Sequence, residues 1–212
     1  HSQWYDILSK PMQATIISHY QETPTVTVFT LEKPAGFTYT AGQFINVELQ
    51  IDNCDNRCNK RNFSLLSIPT DSELMIATRN GVSAFKAKIQ TLTKGDVLTF
   101  TGPFGRFTLQ ENSTPAVFLA GGIGITPFHA MIRSAILGKL DKPITLIYSN
   151  SFAKDIAFQK DFDEYQKSDT QFKVFYTVTD EIDRNWTGRR GRIDEKLIQE
   201  LEQSEKEFRA GK

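Results

Sequence analysis

The feature that most restricts the fold is a change in residue pattern just past the middle of the chain. Up to residue 112, short β-branched and aromatic runs alternate with polar residues and are separated by Pro and Gly. After the segment Glu111–Pro115, apolar runs of strand length alternate with stretches of helical periodicity. We therefore predict two domains: an antiparallel β-barrel over residues 1–112, and an α/β domain over 113–212 with helices on both faces of a parallel sheet.

The individual elements follow from the same periodicities. In the barrel, strands are predicted over 14–18, 25–31, 44–49, 74–78 and 97–101, and one helical segment over 83–92. In the second domain, strands are predicted over 117–120, 144–148 and 172–178, and helices over 127–137, 156–165 and 194–201.

The composition argues against two function classes. Lys and Arg number 25 and Asp and Glu number 25, so the chain lacks the basic excess typical of a nucleic-acid binder. It has no uninterrupted apolar run long enough to cross a bilayer. The first residues do not have the pattern of a signal peptide, and we expect a cytoplasmic monomer.

The two cysteines, Cys54 and Cys58, lie four residues apart in a polar, turn-rich stretch. A tetrahedral metal site needs about four ligands, and the sequence has no second cysteine pair. The three histidines, His1, His19 and His129, are distant in sequence. We expect no metal site and interpret the cysteines as an incidental loop pair, with a redox or metal role as the alternative.

The tetrapeptide Arg61–Ser64 combines three groups that a flavin dinucleotide could use. A long cation suits a pyrophosphate, an aromatic ring suits stacking, and a hydroxyl can donate to a ring nitrogen. On one strand, Arg61 and Phe63 would share a face and Ser64 would lie on the other, unless the ligand lies along the strand edge. The alternative is a strand with an exposed Arg, a core Phe and a solvated Ser.

A second motif, Gly121–Gly124, follows an apolar strand and precedes a helix that begins near Pro127. Glycines at such a turn let a dinucleotide approach the backbone, and a helix N-terminus favours phosphate. The spacing is not that of the common G-x-G-x-x-G fingerprint. A tight structural turn is therefore the alternative interpretation.

Five motifs in order resemble those of the ferredoxin–NADP reductase superfamily, in which a FAD-binding barrel precedes an NAD(P)-binding domain. They are Ala41–Phe44, Arg61–Ser64, Asn80–Ser83, Gly102–Phe107 and Ala120–Pro127. The resemblance covers most of the chain.

For the flavin, the resemblance implies that Arg61 binds the FAD pyrophosphate and Phe63 stacks on the flavin or its ribityl region. Ser64 would hydrogen-bond flavin N5, the atom that receives hydride, as one of two catalytic residues. Leu65 and Ser67 continue this motif and are expected cofactor contacts. Phe63 replaces the commoner Tyr, so one hydroxyl contact is absent.

The resemblance also implies that Gly81, Val82 and Ser83 cradle the pyrophosphate through backbone N–H groups at a helix start. Asn80 stands where the family usually has Gly. Asn tolerates a positive φ better than most residues, so we expect the turn to be kept.

For the nicotinamide, the resemblance implies cofactor contacts from Gly121, Gly122, Gly124, Thr126 and Pro127. Thr126 is the second expected catalytic residue, holding the donor carbon within about 3–3.5 Å of N5.

The loop after the next strand, which includes Asn150, would meet the adenosine ribose. NADPH-dependent members commonly place Arg there, whereas this loop offers only Lys154, with Arg189 and Arg190 as further cations. We therefore favour NADH slightly over NADPH.

Together these expectations describe a FAD-dependent NAD(P)H oxidoreductase. Electrons would pass to an acceptor outside this chain, such as a ferredoxin, a flavodoxin, or an iron–sulfur or haem domain. After Gly188–Ile193 the family continues to a Cys-Gly-Pro segment that these 212 residues lack, so we expect a shortened nicotinamide domain. The alternatives are a flavin-bearing subunit active only within a larger complex, or a plain sugar- or nucleotide-binding barrel without flavin.

Overall fold

The computed structural model describes residues 10–52, 59–180 and 186–201, and its first part is a six-stranded antiparallel sheet. The strand order is β4-β3-β6-β1-β2-β5, and a bridge between Leu65 and Ile76 joins the two outer strands, so the sheet closes like a barrel. The strands are β1 Met12–Thr23, β2 Val26–Glu32, β3 Phe44–Glu48, β4 Lys60–Ser64, β5 Glu73–Arg79 and β6 Val97–Phe104.

The register between β3 and β4 decides where the flavin motif points. Ile45 pairs with Phe63 and Val47 pairs with Arg61. Ile45 and Val47 are fully buried, and directly opposed residues share a face, so Arg61 and Phe63 lie on the inner face of the barrel. Ser64 therefore lies on the outer face, as the period of two predicts.

A short helix, α1 Ala84–Ile89, lies within the predicted helical segment. Phe85 and Ile89, four residues apart, form its buried face, and the Ser83 hydroxyl accepts from the Lys86 N–H at 3.4 Å. Neither Asn80 nor Gly81 adopts a positive φ, so Asn at position 80 is accommodated in this turn without one. Asn80 accepts a hydrogen bond from Thr27 at 2.9 Å.

The second part is a parallel sheet of order β10-β9-β8-β7, which confirms the predicted fold class. Its strands are β7 Ala116–Gly121, β8 Ile144–Asn150, β9 Phe172–Val178 and β10 Arg189–Arg190. The connecting helices are α2 Thr126–Leu137, which a 3₁₀ turn over Gly122–Ile125 precedes, and α3 Gln159–Ser168; residues 195–201 are also helical.

Helix α3 begins at Gln159, three residues later than predicted. Phe158 has φ 61° and ψ 22°, which is left-handed and cannot continue a right-handed helix. Its N–H instead donates to the Glu22 carboxylate of the barrel at 2.7 Å. This contact between the two domains displaces the helix start, and the local apolar periodicity contains no signal for it.

The two domains share one hydrophobic cluster. Val28, Ala41 and Leu66 of the barrel pack in the same buried group as Ile125 and Met131 of the second domain. The barrel's last strand ends at residue 104 and β7 begins at residue 116, and the proposed boundary after residue 112 lies in this connection. None of the helices in the described ranges is both long and apolar enough to span a membrane.

Candidate functional site

An interdomain cleft of about 680 Å³ lies at the carboxyl ends of β7 and β8. Parallel sheets of this kind bind ligands at this edge. The barrel contributes Thr25, Val26 and Arg79; the second domain contributes Leu119, Ala120, Gly121, Gly122, Ile123, Ser149, Asn150, Ser151, Asp155, Thr179, Arg192 and Ile193.

The glycine turn is held in place from the neighbouring strand. Gly122 has φ +49°, a conformation that side-chain-bearing residues adopt reluctantly. The buried Tyr148 hydroxyl donates to the Gly122 carbonyl at 3.1 Å. Burial raises the pKa of Tyr148 to about 12, so the hydroxyl stays neutral and remains a donor at physiological pH.

Asn150 is the polar group in the cleft whose placement most strongly indicates a ligand. Its side chain is only 5% exposed, and its Nδ2 makes no hydrogen bond of regular geometry among the described residues, although the amide lies near enough to the Tyr148 hydroxyl to offset part of the rise that burial causes in the pKa of that group. A buried, unsatisfied donor costs about 1–3 kcal/mol. A ligand oxygen in the cleft would satisfy it.

The three glycines of the turn face open space rather than the protein's own atoms, and two of them, Gly121 and Gly124, do so without a backbone reason for glycine. A Cβ on Gly121 would have the Ser149 carbonyl oxygen at 4.0 Å as its nearest neighbour, and one on Gly124 would meet nothing within 4 Å. Neither has a positive φ. Intramolecular packing therefore does not require glycine at either position, whereas a ligand lying against this backbone would.

Thr126 opens α2 and is 7% exposed, and its hydroxyl donates to the Ile123 carbonyl at 3.3 Å. Pro127 occupies the first turn of the helix, where its missing N–H costs nothing. Among the predicted nicotinamide residues, Gly121, Gly122 and Asn150 line the cleft, whereas Gly124, Thr126 and Pro127 lie next to it along the chain.

The flavin motif borders α1. The Arg61 guanidinium lies over the Phe85 ring at 5.1 Å, and its Nη1 donates to the Lys60 carbonyl at 2.7 Å. The Phe63 ring is 8% exposed and packs 5.9 Å from Phe85 in the barrel core. Ser64 is partly exposed on the outer face. Phe63 therefore shows the core packing that the alternative interpretation expects, and its stacking role stays a prediction.

Leu65 and Ser67 are fully buried. The Ser67 oxygen accepts hydrogen bonds from the Tyr39 hydroxyl at 2.8 Å and from the Met75 N–H at 3.0 Å. The side chain of Ser67 therefore anchors the protein's own backbone, and any ligand contact would have to come from its main chain or its hydroxyl proton.

The turn before α1 is open to solvent. Val82 is 100% exposed, and the Lys86 side chain lies across Gly81, where a Cβ would meet Cδ at 2.8 Å. Because Arg61 covers Phe85 of α1, the structure brings Arg61 close to the helix that Gly81–Ser83 precedes. None of these residues lines the interdomain cleft.

Comparison with known proteins agrees with this two-part arrangement. Residues 118–210 match the family model described as the oxidoreductase NAD-binding domain. Over 192 residues, or 88% of its length, the chain is 26% identical to ferredoxin–NADP reductase B of Sorangium cellulosum, of which it covers 77%. Over most of its length the chain is therefore similar to members of the ferredoxin–NADP reductase superfamily. Its second domain matches an oxidoreductase family.

Other relatives match over different extents. The chain is 37% identical over 115 residues to NADH-cytochrome b5 reductase 1 of Cryptococcus neoformans. These residues are 53% of this chain but only 39% of that protein. The structure of a ferredoxin NADP⁺ reductase from Neisseria gonorrhoeae with bound FAD and NADP superposes with a TM-score of 0.77 at 20% identity, covering 92% of this chain and 79% of that one. At that identity, the superposition shows the superfamily fold alone.

The cations in the cleft are not those that the superfamily resemblance suggested. Lys154 is exposed outside the cleft, with its Nζ 5.4 Å above the Phe152 ring. Arg189 forms an ion pair with Glu200, and Arg190 donates to the Trp186 carbonyl at 2.7 Å.

Arg79 and Arg192 line the cleft instead. Arg79 directly precedes the motif Asn80–Ser83, and Arg192 lies within Gly188–Ile193. Asp155, whose carboxylate accepts from the Thr25 hydroxyl at 3.1 Å across the domains, was also missed. The sequence pattern offers no signal for that contact.

The two cysteines considered as a redox or metal pair, Cys54 and Cys58, lie outside the described residues.

Proposed function

We propose that this chain is the reductase module of a flavoprotein: FAD binds on the barrel, and NAD(P)H binds in the interdomain cleft. The observation that carries the proposal is the cleft itself, where Gly121 faces open space and Asn150 presents a buried amide whose Nδ2 makes no regular hydrogen bond among the described residues. FAD would supply the redox chemistry by accepting a hydride and releasing electrons singly. The described residues fit such a dinucleotide, and the protein's part is to bind and orient it.

On the barrel, Arg61 is the proposed partner of the FAD pyrophosphate, because a guanidinium pairs bidentately with phosphate. The backbone of Gly81–Ser83, beside the same helix, would supply N–H donors. Ser64 lies on the opposite face of its strand from Arg61, where its hydroxyl would donate to the flavin ring. Thr126 would position the nicotinamide, since it begins the helix that follows the glycine turn.

In the cleft, we keep NADH as the favoured donor. Ser151 follows the strand end where NADPH-dependent members commonly have Arg, and the Asp155 carboxylate lines the same wall. A negative charge there disfavours a 2′-phosphate, whereas Arg79 and Arg192 favour it. The balance of these charges makes the NADH-to-NADPH ratio the informative measurement.

For the electron acceptor, we propose a ferredoxin, flavodoxin, iron–sulfur or haem domain outside this chain. Relatives of this chain carry the names ferredoxin–NADP reductase, NADH-cytochrome b5 reductase and terephthalate dioxygenase reductase component. A second candidate is a flavin-bearing subunit that works only within a complex.

The test is to reconstitute the chain with FAD, remove free cofactor, and add NADH or NADPH without oxygen. We expect a flavin absorbance spectrum that NADH bleaches faster than NADPH. Absence of flavin absorbance after reconstitution would refute the proposal. Flavin that binds but is reduced only when a partner protein is added would support the second candidate.

Ser64→Ala tests the role of the hydroxyl, with Ser18→Ala as the matched control because Ser18 is an exposed barrel-strand serine away from the motif. We expect slower flavin reduction in Ser64→Ala with nearly unchanged FAD retention. Equal reduction rates in the two variants would contradict the assignment.

A further inference from the structure

The boundary between the two domains is crossed by an ion pair that touches neither the cleft nor the flavin motif. Arg133 of α2 donates from Nη1 and Nη2 to the two carboxylate oxygens of Asp71, at 2.5 and 3.0 Å. The side chains are 28% and 22% exposed, so the bidentate pair is partly shielded from water. Such a pair fixes direction as well as distance between the elements it joins.

We propose that Arg133 and Asp71 are positioning residues for hydride transfer: they hold the second half of α2 against the barrel loop that follows the flavin motif. The inference rests on the proposed function, since it concerns the relative placement of Ser64 and Thr126. Three observations carry it.

On the barrel side, the loop from Ser64 to Asp71 is tied down along its length. The Leu65 N–H donates to Gln43 at 3.0 Å, and the Leu66 N–H to Met75 at 2.8 Å. The Asp71 carboxylate also accepts from the Ile68 N–H at 2.9 Å. The position of Asp71 is therefore coupled to the end of β4, where Ser64 lies.

On the other side, Arg133 and Thr126 occupy one face of one helix. Seven residues at 100° each return to within about 20° of the starting direction, so the two side chains point the same way about 10 Å apart along the axis. Ala130, Met131 and Ile132 between them are buried, so packing holds this part of α2 as one rigid element. A shift of the helix at Arg133 would therefore also move Thr126 at its first residue.

Apolar packing also joins α2 to the barrel, through Leu66 and Met131 of the shared cluster, but the ion pair itself borders a cavity. This cavity of about 410 Å³ is lined by Tyr20, Leu66, Met75, His129 and Tyr165 among others. Apolar side chains therefore do not fill the space between the domains directly beside the pair. Glu22 and Thr25 of the barrel also hydrogen-bond across the domains, but to Phe158 and Asp155, outside α2.

The test is a double-mutant cycle with Arg133→Gln, Asp71→Asn and the double variant, all loaded with FAD. Asparagine keeps an oxygen that can accept from Ile68, so the loop itself is spared. We expect each single variant to reduce its flavin about tenfold more slowly at saturating NADH, because small misplacements cost large factors in rate. The double variant should be no slower than the singles, and the dissociation constants for FAD and NADH should change less than about twofold.

Glu48→Gln is the matched control, because it removes an ion pair with Lys60, at 3.3 Å, that lies within the barrel alone. It should leave the reduction rate unchanged. A readout without cofactor is amide hydrogen exchange on the empty chain, where Arg133→Gln should speed exchange over 65–71 and the first turns of α2 but not in β2.

The outcomes distinguish a failure of the proposed function from a failure of the positioning role of Arg133 and Asp71. If the wild type carries FAD but NADH does not reduce it, the proposed function fails, and hydrogen exchange still decides whether the pair ties the two segments. If the wild type is reduced and the Arg133→Gln rate is unchanged, the positioning role is overturned. Additive losses in the double variant, or unchanged exchange in the empty chain, would overturn it equally.

Discussion

Gly121→Ala separates what the glycine turn does for the fold from what it does for a ligand. Gly121 ends β7 with φ −132° and ψ 128°, an ordinary extended conformation that alanine adopts without strain. The new Cβ would have the Ser149 carbonyl oxygen at 4.0 Å as its nearest neighbour, so it enters without a clash. The free energy of unfolding should therefore rise by about 0.4–1 kcal/mol, because alanine restricts the unfolded chain.

The same substitution should weaken the binding of a dinucleotide in the cleft. Gly121 lines the interdomain cleft, and the added methyl group would occupy space where a dinucleotide backbone approaches. We expect the dissociation constant for NADH to rise at least tenfold, or about 1.4 kcal/mol. Urea unfolding of the empty chain gives the first quantity, and NADH titration of the FAD-loaded chain gives the second.

Gly122→Ala is the matched comparison one residue away. Its φ of +49° should cost an alanine roughly 1–2 kcal/mol of stability, so this variant loses both stability and NADH affinity. If Gly121→Ala binds NADH as tightly as the wild type, the cleft is not where the nicotinamide dinucleotide lies. If it destabilises the chain, the steric reasoning about this turn is wrong.

Three further variants test separate parts of the molecule. Arg61→Ala should weaken FAD retention tenfold or more by removing the pyrophosphate cation, and unchanged flavin content after gel filtration would contradict that role. Arg192→Ala should raise KM for NADPH more than for NADH, since only NADPH carries a 2′-phosphate; equal changes in steady-state assays would place Arg192 elsewhere on the ligand. Tyr148→Phe tests alkaline stability. Burial raises the folded-state pKa of Tyr148 to about 12, so the folded wild type keeps this hydroxyl protonated at a pH where the unfolded chain releases the proton. The free energy of unfolding of the wild type should therefore fall by up to roughly 3 kcal/mol more than that of the variant between about pH 10 and 12. Urea midpoints of both chains across that range decide it.

The elements with strong local periodicity could be predicted from the sequence. The β-branched composition of Val26–Glu32 predicts a strand, and its near-complete burial follows because Phe29 and Leu31 face the barrel core while Val26 and Val28 pack in the cluster shared with the second domain. Helix α2 begins at Thr126, one residue before Pro127, because proline suits the first turn. These elements depend on their own residues.

The parts that the sequence did not predict depend on contacts between the domains. The start of α3 was misplaced because Phe158 bonds to Glu22, 136 residues away. Asp155 was missed as a cleft residue for the same reason, since Thr25 holds it from the barrel. Arg79 and Arg192 lie far apart in the chain, and only the docked domains bring both to one cleft.

This dependence on docking affects how the glycine turn should be interpreted. Taken alone, Gly121–Gly124 is a strand-to-helix turn that any parallel sheet could contain, and only Gly122 needs glycine for its backbone. The barrel makes the turn informative, because it contributes Thr25, Val26 and Arg79 to the cleft in front of Gly121 and Gly122. A hydride donor held there would face the flavin-motif domain rather than solvent. The rate of transfer should then depend on every contact that fixes the two domains, so interdomain variants such as Arg133→Gln belong in the same kinetic series as the glycine variants.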